Sequence, residues 1–409
     1  MKYHIWTIGC QMNVADSRRL ATALERLGYA RSACAEDADV VVLNTCVVRQ
    51  QAEDKVYGRL SSLWPLKARR PELVVGLMGC LVGAGDSGPL GERFPWIDAL
   101  MPPSEPGPLL DVLVERGLVD EGRALAAEQA ARRYGVQPGL LLPAEERGRL
   151  VAAYVPAVLG CSYGCAYCVI PYRRGPERSR PADEIVGEAQ ALAAQGVREI
   201  TLLGQIVDRY GYDLALPSRG QAPTHTSTPL VGLLERLHES AGLQRIRFLT
   251  SHPKWMSDDL LAAVARLSTV CEHIEVPVQA GDDEVLARMR RGYSSDDYRQ
   301  LVARIRACIP HVSIATDVIV GFPGETEAQF RRTYELLEEL RLDKAHIARY
   351  SPRPQTLAAR RYADDVPPEE KERRRKALDE LQARIAGEVN ARLLGQVCLL
   401  YTSPSPRDS

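Results

Sequence analysis

The sequence predicts an α/β chain in two parts: a small doubly wound parallel sheet, then a partial (βα)6 barrel of TIM-like design. Two observations carry this. Apolar, β-branched runs of strand length alternate with helical patterns from Tyr3 to Leu77, and the same alternation resumes at Tyr154 and runs through six more strand-like segments to Arg349. The length of 409 residues also exceeds one typical domain.

In the first part, Tyr3 to Ile8 reads as a strand ended by Gly9. Asp16 or Ser17 is expected to cap a helix whose Leu20, Ala23, Leu24 and Leu27 recur at helical spacing before Gly28. Asp39 to Leu43 reads as a strand of the buried parallel kind, apolar from Val40 onward, a second helix covers about Gln50 to Arg70, and Leu73 to Leu77 makes a third strand. These elements define residues 1–125 as one domain. Residues 126–150 read as a linker with a turn-rich connector from Gly135 to Pro143. The second series places strands near Tyr154–Leu159, Glu199–Leu203, Arg245–Leu249, His273–Pro277, Val312–Ile319 and Ala345–Arg349, with helices such as Asp183–Ala194 and Glu325–Leu340 between them. It spans residues 151–365, followed by a helix over 366–396 and an atypical tail over 397–409. The stretch from Leu216 to Pro229, rich in Pro, Ser, Thr and Gly, reads as a loop on the face that carries the strand ends.

Hydrophobic residues make up 45% and charged residues 26%, and no apolar run approaches membrane-spanning length, so a soluble cytoplasmic protein with no membrane partner is expected. Ten cysteines in such a chain argue for metal or redox chemistry rather than a disulfide scaffold. Cys34, Cys271, Cys308 and Cys398 carry no motif. With 52 Lys and Arg against 53 Asp and Glu, nothing global attracts nucleic acid, and an RNA partner requires a local basic face.

The most informative stretch is Gly160 to Cys168, where Cys161, Cys165 and Cys168 are spaced C-x3-C-x2-C. Three thiolates on one short loop can hold three irons of a cubane and leave the fourth iron open to substrate. A zinc knuckle or plain packing are the alternatives, but zinc wants a fourth Cys or His at short range, and the next histidine is His225. Cys10, Cys46 and Cys80 each fall just past one of the three N-terminal strands, at the sheet edge where open parallel sheets bind ligands. Any one of them alone fits packing equally well.

These residues resemble the radical S-adenosylmethionine (SAM) superfamily, with aromatic Tyr167 before the last cysteine. The continuation from Val169 to Pro181 is similar to the methylthiotransferase family within it, and to the branch acting on isopentenyl-adenosine in tRNA. Thr7 to Asn13, Asn44 to Arg49 and Met78 to Cys80 are similar to the same family. The resemblance implies two 4Fe-4S clusters, one on Cys161, Cys165 and Cys168 and a second on Cys10, Cys46 and Cys80, with SAM as cofactor. It implies that one SAM yields a radical that takes hydrogen from C2 of the adenine, that sulfur arrives by way of the second cluster, and that another SAM gives the methyl group. It also places a SAM pocket at the strand ends: Tyr167, Gly204, Gln205, Ser251, Gln279 and Gly321. Tight turns at Gly204 and Gly321, a loop histidine at His252 and a helix start at Glu325 or Thr326 are the plainer readings there.

Four arginines against one glutamate from Tyr172 to Arg180 suggest contact with RNA phosphate or SAM carboxylate, whereas the basic run Glu372 to Lys376 reads as a solvated helix face. Related enzymes commonly carry Asn-Val-Asn-Ser where this chain has Ile206-Val207-Asp208-Arg209. They also continue into a small RNA-binding β-barrel, whose place after Gln396 is taken by the atypical tail, so weakened tRNA binding is expected. The implied partners are tRNA, an external electron donor and a sulfur donor, with the chain a monomer. Rival expectations keep the chemistry but change the substrate to threonylcarbamoyl-adenosine in tRNA or a ribosomal-protein aspartate, or use the second cluster only for electron transfer, or make the chain a non-enzymatic iron-sulfur module.

Overall fold

The computed structural model describes residues 1–48, 50–85, 87–214, 228–240 and 242–397. Residues 216–227 of the expected loop and 398–409 of the tail, Cys398 included, lie outside the described residues. Two compact units are present: residues 1–163, 168–205 and 240–242 form the first, and residues 164–167, 206–239 and 243 onward the second.

The first unit is built on a five-stranded parallel sheet of β1 (Lys2–Thr7), β2 (Ala30–Arg31), β3 (Val40–Thr45), β4 (Val74–Gly79) and β5 (Ala99–Met101), in the order β2-β1-β3-β4-β5. All six residues of β3 are buried because the sheet is covered on both faces. The period-two alternation divides them: Val41 and Leu43 pack with Val56, Leu60 and Leu63 of the helix Gln50–Arg69. Val40 and Val42 pack on the opposite face with Leu20 and Leu24 of the helix Gln11–Arg26. Sequence periodicity missed β2 and β5, which have two and three residues.

One expectation is corrected here. The first helix begins at Gln11 with Cys10 as its N-cap residue, not at Asp16 or Ser17. Asp16 is buried inside that helix, where its carboxylate meets Arg174, and so it is a core ion rather than a cap.

The connector is ordered against this unit. Asp120 caps the helix Glu121–Tyr134, Gly135 ends it in the left-handed region, and the chain returns through hydrogen bonds from Gln195 to the carbonyl of Leu140 and from Leu142 N–H to Gln195. Next come β6 (Ala152–Pro156), β7 (Val158–Leu159), β8 (Arg178–Ser179) and β9 (Glu199–Leu203). β6 and β9 pair in parallel, while β7 and β8 form a short antiparallel ribbon. The Cys161 to Cys168 segment and the helix Ile170–Arg174 lie within the excursion that this ribbon closes.

The second unit holds β10 (Arg245–Phe248), β11 (His273–Glu275), β12 (Ser313–Val320) and β13 (Lys344–Arg349), the last three in one parallel sheet in that order. All six strands expected for the barrel series are thus present, with helices between them. Ser294 and Thr326 begin their helices with reciprocal capping boxes, so Thr326 is a helix start as one plainer reading held. The helix Pro368–Asn390 follows β13.

Candidate functional site

The sheet order β2-β1-β3-β4-β5 puts the topological switch point between β1 and β3, where ligands of doubly wound sheets bind beyond the strand ends. Cys10 follows β1, Cys46 follows β3 and Cys80 follows β4. A lattice of small polar groups fixes these ends. Asn13 is fully buried and its side-chain amide donates to Asn44 Oδ1 at 2.8 Å and to the Thr45 carbonyl at 3.0 Å. The Asn44 amide returns a bond to the Asn13 carbonyl at 2.8 Å, and Thr45 Oγ1 donates to the Met78 carbonyl at 2.6 Å. The N–H of Cys80 donates to the Thr45 carbonyl at 2.9 Å. Gly79, at φ +99°, approaches β3 so closely that an added Cβ would stand 2.5 Å from the Thr45 carbonyl oxygen. Gly9 has the same use, since its Cβ would lie 3.0 Å from Cys46 Cβ.

Cys80 feels both of the other thiols. Burial pushes the Cys80 thiol up to about 11; the Arg174 guanidinium opposes this, and the neighbouring Cys46 and Cys10 sulfurs add to it. Arg174 hydrogen-bonds Cys80 and pairs with Asp16 at 3.4 Å, with both charged side chains of that pair buried. Burial works against the cation, but Cys80 and Asp16 outweigh it and hold Arg174 charged. This corrects the reading of the basic loop for Arg174. Arg174 faces the N-terminal triad rather than RNA or SAM, Arg180 pairs with Glu188 at 2.7 Å, and Arg178 is the exposed one of the four.

In the second motif, Gly160 takes φ +69° where an added Cβ would meet the Pro176 carbonyl oxygen at 2.1 Å. The Cys161 N–H donates to the Gly175 carbonyl at 3.1 Å, and the Tyr163 N–H points at Cys161 Sγ at 3.5 Å. Cys165 and Tyr167 belong to the second unit, where the intervening Ala166 is buried with Phe322, Tyr350 and Ala358. Ala166 N–H donates to the Met289 carbonyl at 2.9 Å, and its carbonyl accepts from Ala358 N–H at 2.8 Å. Arg291 donates to Cys165 Sγ at 3.2 Å. Nothing in the spacing of the sequence marked Arg291, Asn13 or Asp16 for these places.

The other expected SAM residues lie at strand ends. Gly204 and Gln205 follow β9 in the first unit, and Ser251, Gln279 and Gly321 follow β10, β11 and β12 in the second. Ser251 Oγ and Gln279 Oε1 are buried without a hydrogen-bond partner among the described residues. Thr250 at φ +67° and Gln279 at φ +73° are held in the left-handed region, where side-chain-bearing residues are strained. Two orphaned polar atoms beside two strained residues fit a bound polar molecule such as SAM. His252 keeps its ring neutral, since burial and then the Arg291 charge depress its pKa to about 2, and its Nδ1 accepts from the Lys254 N–H at 3.2 Å. Asp208, one of the departures from the family pattern, accepts the His252 N–H on its carboxylate. At Gly321 the N–H donates to Glu325 at 2.5 Å, and Arg374 of the last helix holds the same carboxylate at 2.9 Å. Glu325 is therefore a buried anchor rather than a helix start, and the run Glu372 to Lys376 is partly built into the fold.

Among the described residues no three His, Cys, Asp or Glu side chains surround a single-metal position. A cubane offers a separate iron to each thiolate, so its ligands stand further apart than those of a single metal, and the neighbouring Cys10, Cys46 and Cys80 sulfurs beside the buried Arg174 fit that donor arrangement.

Two family models match the chain: the radical SAM superfamily over residues 155–337, and the uncharacterized protein family UPF0004 over residues 2–101. A relative from Roseiflexus described as tRNA-2-methylthio-N(6)-dimethylallyladenosine synthase is 47% identical over 97% of this chain and 78% of its own. One of the same description from Herpetosiphon aurantiacus is 46% identical over 96% and 85%. Among solved structures, the radical S-adenosylmethionine methyltransferase TsrM from Kitasatospora setae, determined with cobalamin and a 4Fe-4S cluster, matches at a TM-score of 0.59 and 15% identity over 88% of this chain and 74% of that one, a likeness of fold alone. With relatives this similar over nearly its whole length, the chain belongs to the tRNA-2-methylthio-N(6)-dimethylallyladenosine synthase family of radical SAM enzymes.

Proposed function

We propose that the chain transfers a methylthio group to C2 of N6-isopentenyl-adenosine beside the anticodon in tRNA. Cys161, Cys165 and Cys168 hold the 4Fe-4S cluster that meets SAM, and Cys10, Cys46 and Cys80 hold the second. Bound at these sites, the clusters and SAM supply reductive cleavage of a sulfonium, hydrogen removal from C2, sulfur and a methyl group. The protein's own part is to bind, orient and exclude water. Ser251 and Gln279 offer buried polar atoms to SAM, Tyr167, Gly204, Gln205 and Gly321 shape its surroundings, and neutral His252 adds no charge to the pocket.

The observation that carries this reading is the path from Cys168 to Arg174. The helix Ile170–Arg174 starts two residues past Cys168 and ends with Arg174 on Cys80, so one short segment links the two cysteine motifs. A sulfur-inserting enzyme needs such nearness, because the sulfur source and the activated carbon must meet. Among the described residues no helix is long and apolar enough to cross a membrane. The reading further takes a cytoplasmic monomer, an external one-electron donor and an external sulfur donor.

The test is anaerobic reconstitution with iron, sulfide, SAM, a reductant and isopentenylated tRNA, followed by mass spectrometry of the nucleosides. A product heavier by one methylthio group is expected. An unchanged nucleoside, with 5′-deoxyadenosine still formed, would assign the second cluster to electron transfer, and methylthiolation of threonylcarbamoyl-adenosine instead would move the substrate.

A further inference from the structure

The residue whose placement goes furthest beyond the motifs is Arg291. It lies in the turn that follows the helix Asp283–Arg288, between Arg290 at φ +58° and Gly292 at φ +72°. Two successive excursions into the left-handed region aim its side chain inward, where the residue is 4% exposed. Its guanidinium is fixed on several sides: Nε donates to Tyr293 Oη at 2.9 Å, one terminal nitrogen to the Pro277 carbonyl at 3.0 Å, and the other to Cys165 Sγ at 3.2 Å and Tyr167 Oη at 3.4 Å. The Tyr293 hydroxyl passes the restraint on to the Val278 carbonyl at 2.8 Å. The same turn also grips the cysteine loop through its backbone, since Met289 accepts the Ala166 N–H.

A neutral donor would serve to hold a loop. A cation this deep costs free energy unless something negative answers it. Burial works against the charge of Arg291, and Tyr167, Tyr293 and Cys165 together keep it. A hydrogen bond from a fixed cation onto a ligand sulfur favours whichever state of an iron-sulfur centre carries more negative charge, which is the reduced one.

We propose that Arg291 is a positioning residue that orients Cys165 and, through its N–H···S bond, makes the cluster on Cys161, Cys165 and Cys168 easier to reduce. The proposal rests on the reading given under Proposed function. One electron passes from an external one-electron donor to the sulfonium of SAM at this centre, and Arg291 itself is neither oxidised nor reduced.

The experiment uses the full chain with Cys10, Cys46 and Cys80 replaced by Ala, so that one cluster remains, and compares it with the same chain carrying Arg291→Gln or Arg291→Lys. Iron content and the midpoint potential by dithionite titration with electron paramagnetic resonance are the readouts, alongside the rate of 5′-deoxyadenosine release. The expected result for Arg291→Gln is retained iron, a more negative midpoint potential, and release slowed by about 10- to 100-fold. Where Arg291→Gln sheds its iron, Arg291→Lys decides, and a smaller shift in the same direction is expected there, because the ammonium keeps the charge but not the fixed fork. An unchanged potential with full iron content overturns the proposal, as does loss of the cluster from both variants with native circular dichroism. A parent chain that binds no cluster at all would instead overturn the functional reading on which the proposal rests.

Discussion

Arg174 donates to the thiol of Cys80, although the two residues come from different cysteine motifs. The guanidinium is charged and buried, and its second anchor is the carboxylate of Asp16 at 3.4 Å. Burial raises the pKa of that carboxyl, while Arg174 and then the Ser104 hydroxyl pull it down. The triad at the sheet edge thus includes a fixed positive charge supplied by the loop of the other motif.

Removing Asp16 leaves that charge without its carboxylate. Asp16→Ala is expected to destabilise the chain by about 3–5 kcal/mol, the range for breaking a buried pair from one side. Pairing it with Arg174→Met should recover part of the loss. Chemical denaturation of the three variants would decide, and a double variant less stable than Asp16→Ala would contradict the account.

Single thiols should separate the two clusters. Cys161→Ala is expected to abolish formation of 5′-deoxyadenosine, whereas Cys46→Ala should leave that cleavage and stop sulfur entering tRNA. Normal methylthio product from either variant would refute the ligand assignment.

The orphaned polar atoms give a binding prediction. Ser251→Ala and Gln279→Ala should each weaken SAM binding by about 5- to 30-fold, the effect of one lost hydrogen bond worth roughly 1–2 kcal/mol, with iron content unchanged. Equilibrium dialysis with labelled SAM measures this. Unaltered binding in both would move the pocket elsewhere.

His252 supplies a pH dependence. Its pKa falls from 6.5 to about 2 on folding, so the unfolded chain binds the proton more tightly. Stability from this residue is fully present above pH 6.5 and is lost as pH falls toward about 2. Between pH 6.5 and 5 the loss reaches up to about 2 kcal/mol, and His252→Asn should flatten that slope in urea titrations. An identical slope in the variant would dismiss the claim.

Much of this was legible in the chain. Short strand-like runs located β1, β3 and β4, and three cysteines each placed just beyond such a run signalled a shared sheet edge. The strands of the second series also lie within a residue or two of where their patterns put them, except that the first is broken at Ala157 into β6 and β7. What stayed hidden has a common physical cause. Counting charges from Tyr172 to Arg180 cannot tell an exposed arginine from one that a short helix turns into the interior, as happens at Arg174. Asp16 has the composition of a cap, but the helix had already begun at Cys10, and a side chain's role follows from its position along the helix. Arg291 owes its place to two left-handed residues flanking it, and in Arg290 that conformation leaves no mark in residue type.

The lattice of Asn13, Asn44 and Thr45 sets the backbone at the ends of β1, β3 and β4 through amides and a hydroxyl. The seats for the sulfurs are accordingly carved by groups that oxygen does not attack. Oxidation of a thiol at this edge would therefore leave the framework that positions it chemically intact.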